Sequence, residues 1–89
     1  MISYFEASVL AFNYFQENLN VLGLAEAMEN ENYFIFVGGK HNCTNIGGVA
    51  ICVDKHNTGI KVLTFPSKEN TQLIKNSKCK EIYSEFIYY

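Results

Sequence analysis

Five side chains of this sequence could ligate a metal or serve as nucleophile and base: His41, Cys43, Cys52, His56 and Cys79. Their spacing argues against both roles. A His-x-Cys pair (His41, Cys43) and a Cys-x₃-His pair (Cys52, His56) match no common closed zinc site. Cys52 falls inside an apolar run, where a thiol behaves as a small buried hydrophobe. A Cys–His nucleophile pair also needs a third, orienting group, and the sequence displays none. Asp54 is the only aspartate, and a turn-capping role accounts for it. Neither Gly38-Gly39 nor Gly47-Gly48 leads into Lys-Ser/Thr at a helix start, so neither is a phosphate loop. The expectation is a domain with no active site, metal or cofactor, one that works by binding rather than as an enzyme.

The groups suited to binding are carboxylates. Residues 1–39 hold Glu6, Glu17, Glu26, Glu29 and Glu31 and no cation, whereas all seven lysines lie from Lys40 onward. Glu26, Glu29 and Glu31 fall close together, with Tyr33 just beyond, and these four are the candidate partner-binding residues. Such a patch would steer a basic protein partner, and Tyr33 would add an aromatic anchor. The competing reading is a solvated turn that keeps one end of the fold soluble. A nucleic-acid partner is not expected, because the net charge is −2 and there is no arginine to read phosphates or guanines. No apolar run reaches membrane-spanning length. The odd cysteine count and an opening, Met1–Glu6, without a basic region point to a reducing cytoplasm rather than secretion.

Regular elements must position these residues. Ser3 and Glu6 form the S-x-x-E pattern of a capping box, which opens a helix running to about Leu19. Its inward stripe is Phe5, Val9, Phe12, Phe15 or Gln16, and Leu19. Val21–Met28 is assigned to a strand with Leu22, Leu24 and Met28 on one side, although Ala25 and Ala27 favour helix. Glu29–Asn32 is a polar turn. Tyr33–Val37 is a strand apolar on both faces. Residues 38–45 form a loop.

The best-defined stretch is a β-hairpin between Gly47 and Pro66. Val49–Val53 and Ile60–Phe65 flank a polar connection in which Asp54 caps backbone amides and Gly59 takes a positive φ. Pro66 stops the second of these strands, and Ser67 caps a short helix to about Lys75, with Leu73 and Ile74 inward. The aromatic tail, Glu81–Tyr89, reads as an added edge strand or a packed extension. The fold class is α+β: an N-terminal helix packed on an antiparallel sheet of about four to five strands, in a single domain, with a short helix after the central hairpin and the helices on one face.

Gly47-Gly48-Val49-Ala50-Ile51-Cys52-Val53-Asp54-Lys55, then Thr58-Gly59-Ile60 and Pro66-Ser67-Lys68-Glu69-Asn70, resembles the YrhB-like immunity proteins of bacterial polymorphic toxin systems. The likeness extends to the amphipathic first helix, with Ala11 and Tyr14-Phe15, and to the aromatic strand Tyr33–Phe36, and spans roughly residues 7–74. It implies a cytoplasmic inhibitor that binds and blocks a cognate toxin by occlusion, without catalytic residues of its own. A reading from another class is a small homodimeric or chaperone-like interaction module that pairs through an exposed sheet face or edge.

Overall fold

Ser3 caps the first helix as expected, but the Glu6 carboxylate meets the Ser3 hydroxyl rather than returning to the Ser3 backbone amide. The Ser3 hydroxyl oxygen accepts the Glu6 amide at 3.1 Å, and the hydroxyl in turn donates to the Glu6 carboxylate at 3.2 Å. The computed structural model describes residues 1–39, 49–63 and 68–87. In it, helix α1 (Tyr4–Asn18) is followed by strands β1 (Leu24–Glu29), β2 (Tyr33–Gly38), β3 (Ala50–Asp54) and β4 (Ile60–Leu63), then helix α2 (Lys68–Lys75) and strand β5 (Lys78–Lys80). The five strands make one antiparallel sheet in the order β4-β3-β2-β1-β5. The chain is an α+β domain. The expected cap at Ser67, the strand stop at Pro66 and residues 40–45 of the expected 38–45 loop lie outside the described residues.

Alternation along β2 sends side chains to both faces of the sheet. Phe34 and Phe36 join Ala7, Ala11, Phe15, Leu24, Ile51 and Val53 beneath α1. Ile35 joins Met28, Ala50, Cys52 and Leu63 on the other face, where Leu73 and Ile74 of α2 pack. The two helices therefore cover opposite faces, not one. That follows from a central strand that is apolar on both sides and must hide both.

The inward line of α1 also differs from the expected stripe. Ala7, Ser8, Ala11 and Phe15 are the buried positions. Small side chains at 7 and 11 let the helix axis approach the sheet, and the larger Phe5 and Phe12 are displaced to its flank. There they meet the C-terminal segment, with ring centroids 5.2 Å apart for Phe5–Tyr83 and 5.2 Å for Phe12–Phe86. Residues 84–86 form a single 3-10 turn that buries Phe86. The tail is thus a packed extension, and the fifth strand comes from Lys78–Lys80 just before it.

Two local departures have clear causes. A bulge between Leu24 and Glu26 shifts the register of β1 against β2, so Leu24 faces α1 and Met28 faces away, while Leu22, ahead of β1 rather than in it, is exposed. In the β3–β4 turn, Asp54 Oδ1 accepts the amides of His56 (2.8 Å) and Asn57 (3.2 Å) as expected. The positive φ, however, belongs to Thr58, at 60°. A Cβ at Gly59 would lie 2.8 Å from Asn57 Oδ1, which accepts the Gly59 amide at 2.7 Å, so a side chain there would displace the end of the exposed Asn57 side chain.

Candidate functional site

The carboxylates at the end of β1 do not form one patch. Glu29 closes β1 on the α1 face, opposite Phe34. Its two oxygens accept from Lys55 Nζ at 2.6 Å and Lys80 Nζ at 3.0 Å. Both ammonium groups also lie over rings: Lys55 Nζ is 4.8 Å from the Phe34 centroid, and Lys80 Nζ is 4.4 Å from that of Tyr4. Tyr4 completes the assembly by donating its hydroxyl to the Glu81 carbonyl at 2.6 Å. Glu29 is therefore a structural hub that pins β5 and the β3–β4 turn to β1.

The remaining candidates point elsewhere. Glu31 is exposed in the β1–β2 turn, which Asn30 organises by accepting the amides of Asn32 and Tyr33 at 2.9 Å each. Asn30 Nδ2 donates to Ser77 Oγ at 3.2 Å, tying this turn to the start of β5. Tyr33 starts β2 on the face opposite Glu29, cross-strand from Asp54 and packed beside the second core cluster. Glu26 is exposed on that same face, three residues back along β1.

Glu26 belongs to a cleft at the β1–β5 edge. Because β5 ends at Lys80, the first half of β1 has no strand partner on that side. The gap is lined by Ala25, Met28, Ile82 and Ile87 and rimmed by Glu26 and Glu81. Its apolar floor and two carboxylates suit a segment that carries an apolar side chain beside a basic one. Lys80 also reaches the cleft, but its ammonium is engaged by Glu29. Glu81, Ile82 and Ile87 were not among the candidates drawn from the sequence. The signal that could have found them is the Lys78-x-Lys80 alternation, which marks an edge strand whose end delivers residues 81–87 to the β1 edge.

Among the described residues, the cysteines and the histidine lie on separate elements. Cys52 is buried mid-strand in β3, and burial pushes its thiol above the ordinary value. His56 is exposed in the β3–β4 turn, and Cys79 is exposed on β5. Among the described residues, no three His, Cys, Asp or Glu side chains are grouped to hold a metal ion. His41 and Cys43 lie outside those residues.

The Lys55 ammonium first, and the Lys80 ammonium second, hold the Glu29 carboxyl below its ordinary value. A depressed carboxyl contributes stability that is fully present above the unfolded-state pKa and is lost as pH falls through the folded one. The melting temperature should therefore drop as pH goes below about 4.5. Glu29→Gln should flatten that slope in a pH 7 to 3 series, leaving the part contributed by Asp54, whose carboxyl the His56 and Asn57 amides also hold low. An unchanged slope in Glu29→Gln would remove the ion-pair hub as the source.

No protein-family model matches the chain, and no curated protein or solved structure matches it. Among the described residues, no helix is long and apolar enough to cross a membrane.

Proposed function

We propose that the protein is an immunity protein that binds a cognate bacterial toxin in the cytoplasm and neutralises it by occlusion, without chemistry of its own. The observation that carries this reading is the cleft in which Glu26 and Glu81 rim an apolar floor at the sheet edge. Toxins that attack nucleic acid gather basic residues around the active site to attract phosphates. An acid-rimmed cleft on a rigid sheet offers such a surface both charge complementarity and an apolar anchor point. The buried Cys52 and the free Cys79 fit a binding role in a reducing compartment. The sequence resemblance in residues 47–70 supports the same reading.

Co-expression with the C-terminal domain of an adjacent secreted-toxin gene should spare cells that the domain kills alone. The double variant Glu26→Lys/Glu81→Lys should slow association with that domain roughly tenfold at low salt. Both residues are exposed, so circular dichroism should show the fold intact. Glu31→Lys, outside the cleft, should change the rate far less. Full protection by the double variant would place the contact elsewhere.

A further inference from the structure

The cleft at the β1–β5 edge is closed to an added strand and open to a side chain. The edge itself is blunt, since β5 has three residues with a lysine at each end. Where β5 has ended, Leu24 is wholly buried, and Ala25 and Ala27 are 8% and 3% exposed. The outer backbone of β1 is therefore already covered there, whereas an added strand needs that backbone bare to form its ladder. What the cleft offers instead is side chains: an apolar floor at Met28, Ile82 and Ile87 beneath the exposed Glu26 and Glu81. We propose that it takes one lysine or arginine side chain of a partner protein, with the stem along the floor and the charge at the two carboxylates. This rests on the toxin-binding reading, in which the partner is the toxin, and names the group that the cleft receives.

Charge selects a cation. Among the described residues, Glu26 and Glu81 form no ion pair. The ammonium next in the chain to Glu81 is that of Lys80, and Glu29 holds it at 3.0 Å while it lies over the Tyr4 ring at 4.4 Å. The rim is thus left with two uncompensated negative charges, and a cleft lined by one sign of charge over apolar walls concentrates its field. The rim is also anchored on one side, because Tyr4 donates its hydroxyl to the Glu81 carbonyl at 2.6 Å. A site already in place loses less freedom when it binds.

Two acids alone would accept any cation, and the floor narrows the choice. Lysine and arginine lay their methylene stems along apolar surface and keep the charged head in water. That division matches a floor of Met28, Ile82 and Ile87 under a rim of Glu26 and Glu81. An acidic side chain would meet like charge, and an aliphatic one would leave both carboxylates without a counter-ion.

N-acetyl-lysine methylamide and N-acetyl-arginine methylamide present these side chains without a toxin. Titrated into the chain at low salt, each should shift the backbone amide signals of Glu26, Met28, Glu81 and Ile82 saturably, while those of the β3–β4 turn stay in place. N-acetyl-norleucine methylamide, which has the stem without the charge, should bind roughly fivefold more weakly. Glu26→Gln/Glu81→Gln keeps both shapes and should bring the lysine probe down to the norleucine value, with norleucine itself unchanged. The comparison of probes on the wild type stands even if that variant loses the fold. Equal binding of the lysine and norleucine probes, a lysine titration unaltered in the double variant, or no saturable shift at these residues would each overturn the proposal. If the probes behave as expected but co-expression does not spare cells from the toxin domain, the toxin-binding reading fails and the side-chain site stands. If the chain protects cells but the probes do not bind, the side-chain site fails alone.

Discussion

Phe36→Ala should lower the free energy of unfolding by about 3–5 kcal/mol, measured by urea denaturation. Phe36 sits on β2, the middle strand of the five, and is fully buried. It lies cross-strand between Ala27 and Ile51, beneath the nearly parallel ring of Tyr4 at 6.0 Å. Truncation removes a ring from a site whose walls are two β-ladders and a helix, so the cavity cannot collapse. A domain of this size has about 5–15 kcal/mol in total, so the variant should be close to unfolded at 37 °C. The control is another phenylalanine. Phe5 is 44% exposed, and Phe5→Ala should cost no more than about 1 kcal/mol. Equal costs at the two sites would mean that the core is not under α1.

The second large effect should come from Glu29→Gln, which keeps the shape and removes the charge. The Lys55 side chain is only 9% exposed and would then be a nearly buried ammonium with no carboxylate partner. The expected cost is about 1–3 kcal/mol. It falls short of the 3–5 kcal/mol or so of a fully buried pair because the Glu29 side chain is 33% exposed and water can screen the site. Lys55→Met alone should cost less than Glu29→Gln, since Lys80 still neutralises Glu29 at 3.0 Å. In the double variant the two losses should not add, because removing Lys55 removes the charge that Glu29→Gln strands. Strict additivity by denaturation would show that the Glu29–Lys55 pair carries no coupling.

These two sites mark where the sequence is legible and where it is not. The β2 strand could be read directly, since Tyr33–Val37 is an unbroken apolar run between a polar turn and a glycine pair. The helix start at Ser3 and the β3–β4 hairpin were equally plain, because caps and turns are local chemistry. The burial line of α1 was not. Periodicity picks out large apolar residues, whereas close packing on a sheet favours Ala7 and Ala11 at the point of nearest approach. The bulge at Leu24/Glu26 was also invisible, and one extra residue was enough to put Leu24 and Met28 on opposite faces. At the candidate site, Glu29 looked like a free acid because no cation stands near it in the chain. Its partners arrive from Lys55 and Lys80, 26 and 51 residues away. The segregation of charge along the sequence is thus partly cancelled in space. Glu26 retained its exposure, but its companion in the cleft proved to be Glu81.

The path of the chain after β4 also fixes how the molecule must come apart. Strands β1 to β4 are a meander in which each pairs with its sequence neighbour, so their loops close cheaply and early. Strand β5 pairs with β1 only after α2 has carried the chain to the far side of the sheet. Its docking waits on a closure of about fifty residues and is then held by three ladder positions, the Lys80–Glu29 contact and the rings of Tyr83 and Phe86 against α1. A segment held in this way is expected to open as a unit less stable than the whole domain. Each such opening releases Glu29 from one of its two lysines and bares the outer backbone of β1 along its full length. The edge that the folded chain keeps blunt is therefore guarded by a strand held at three ladder positions, and amide exchange at Lys78 and Lys80 reports how often that guard is down.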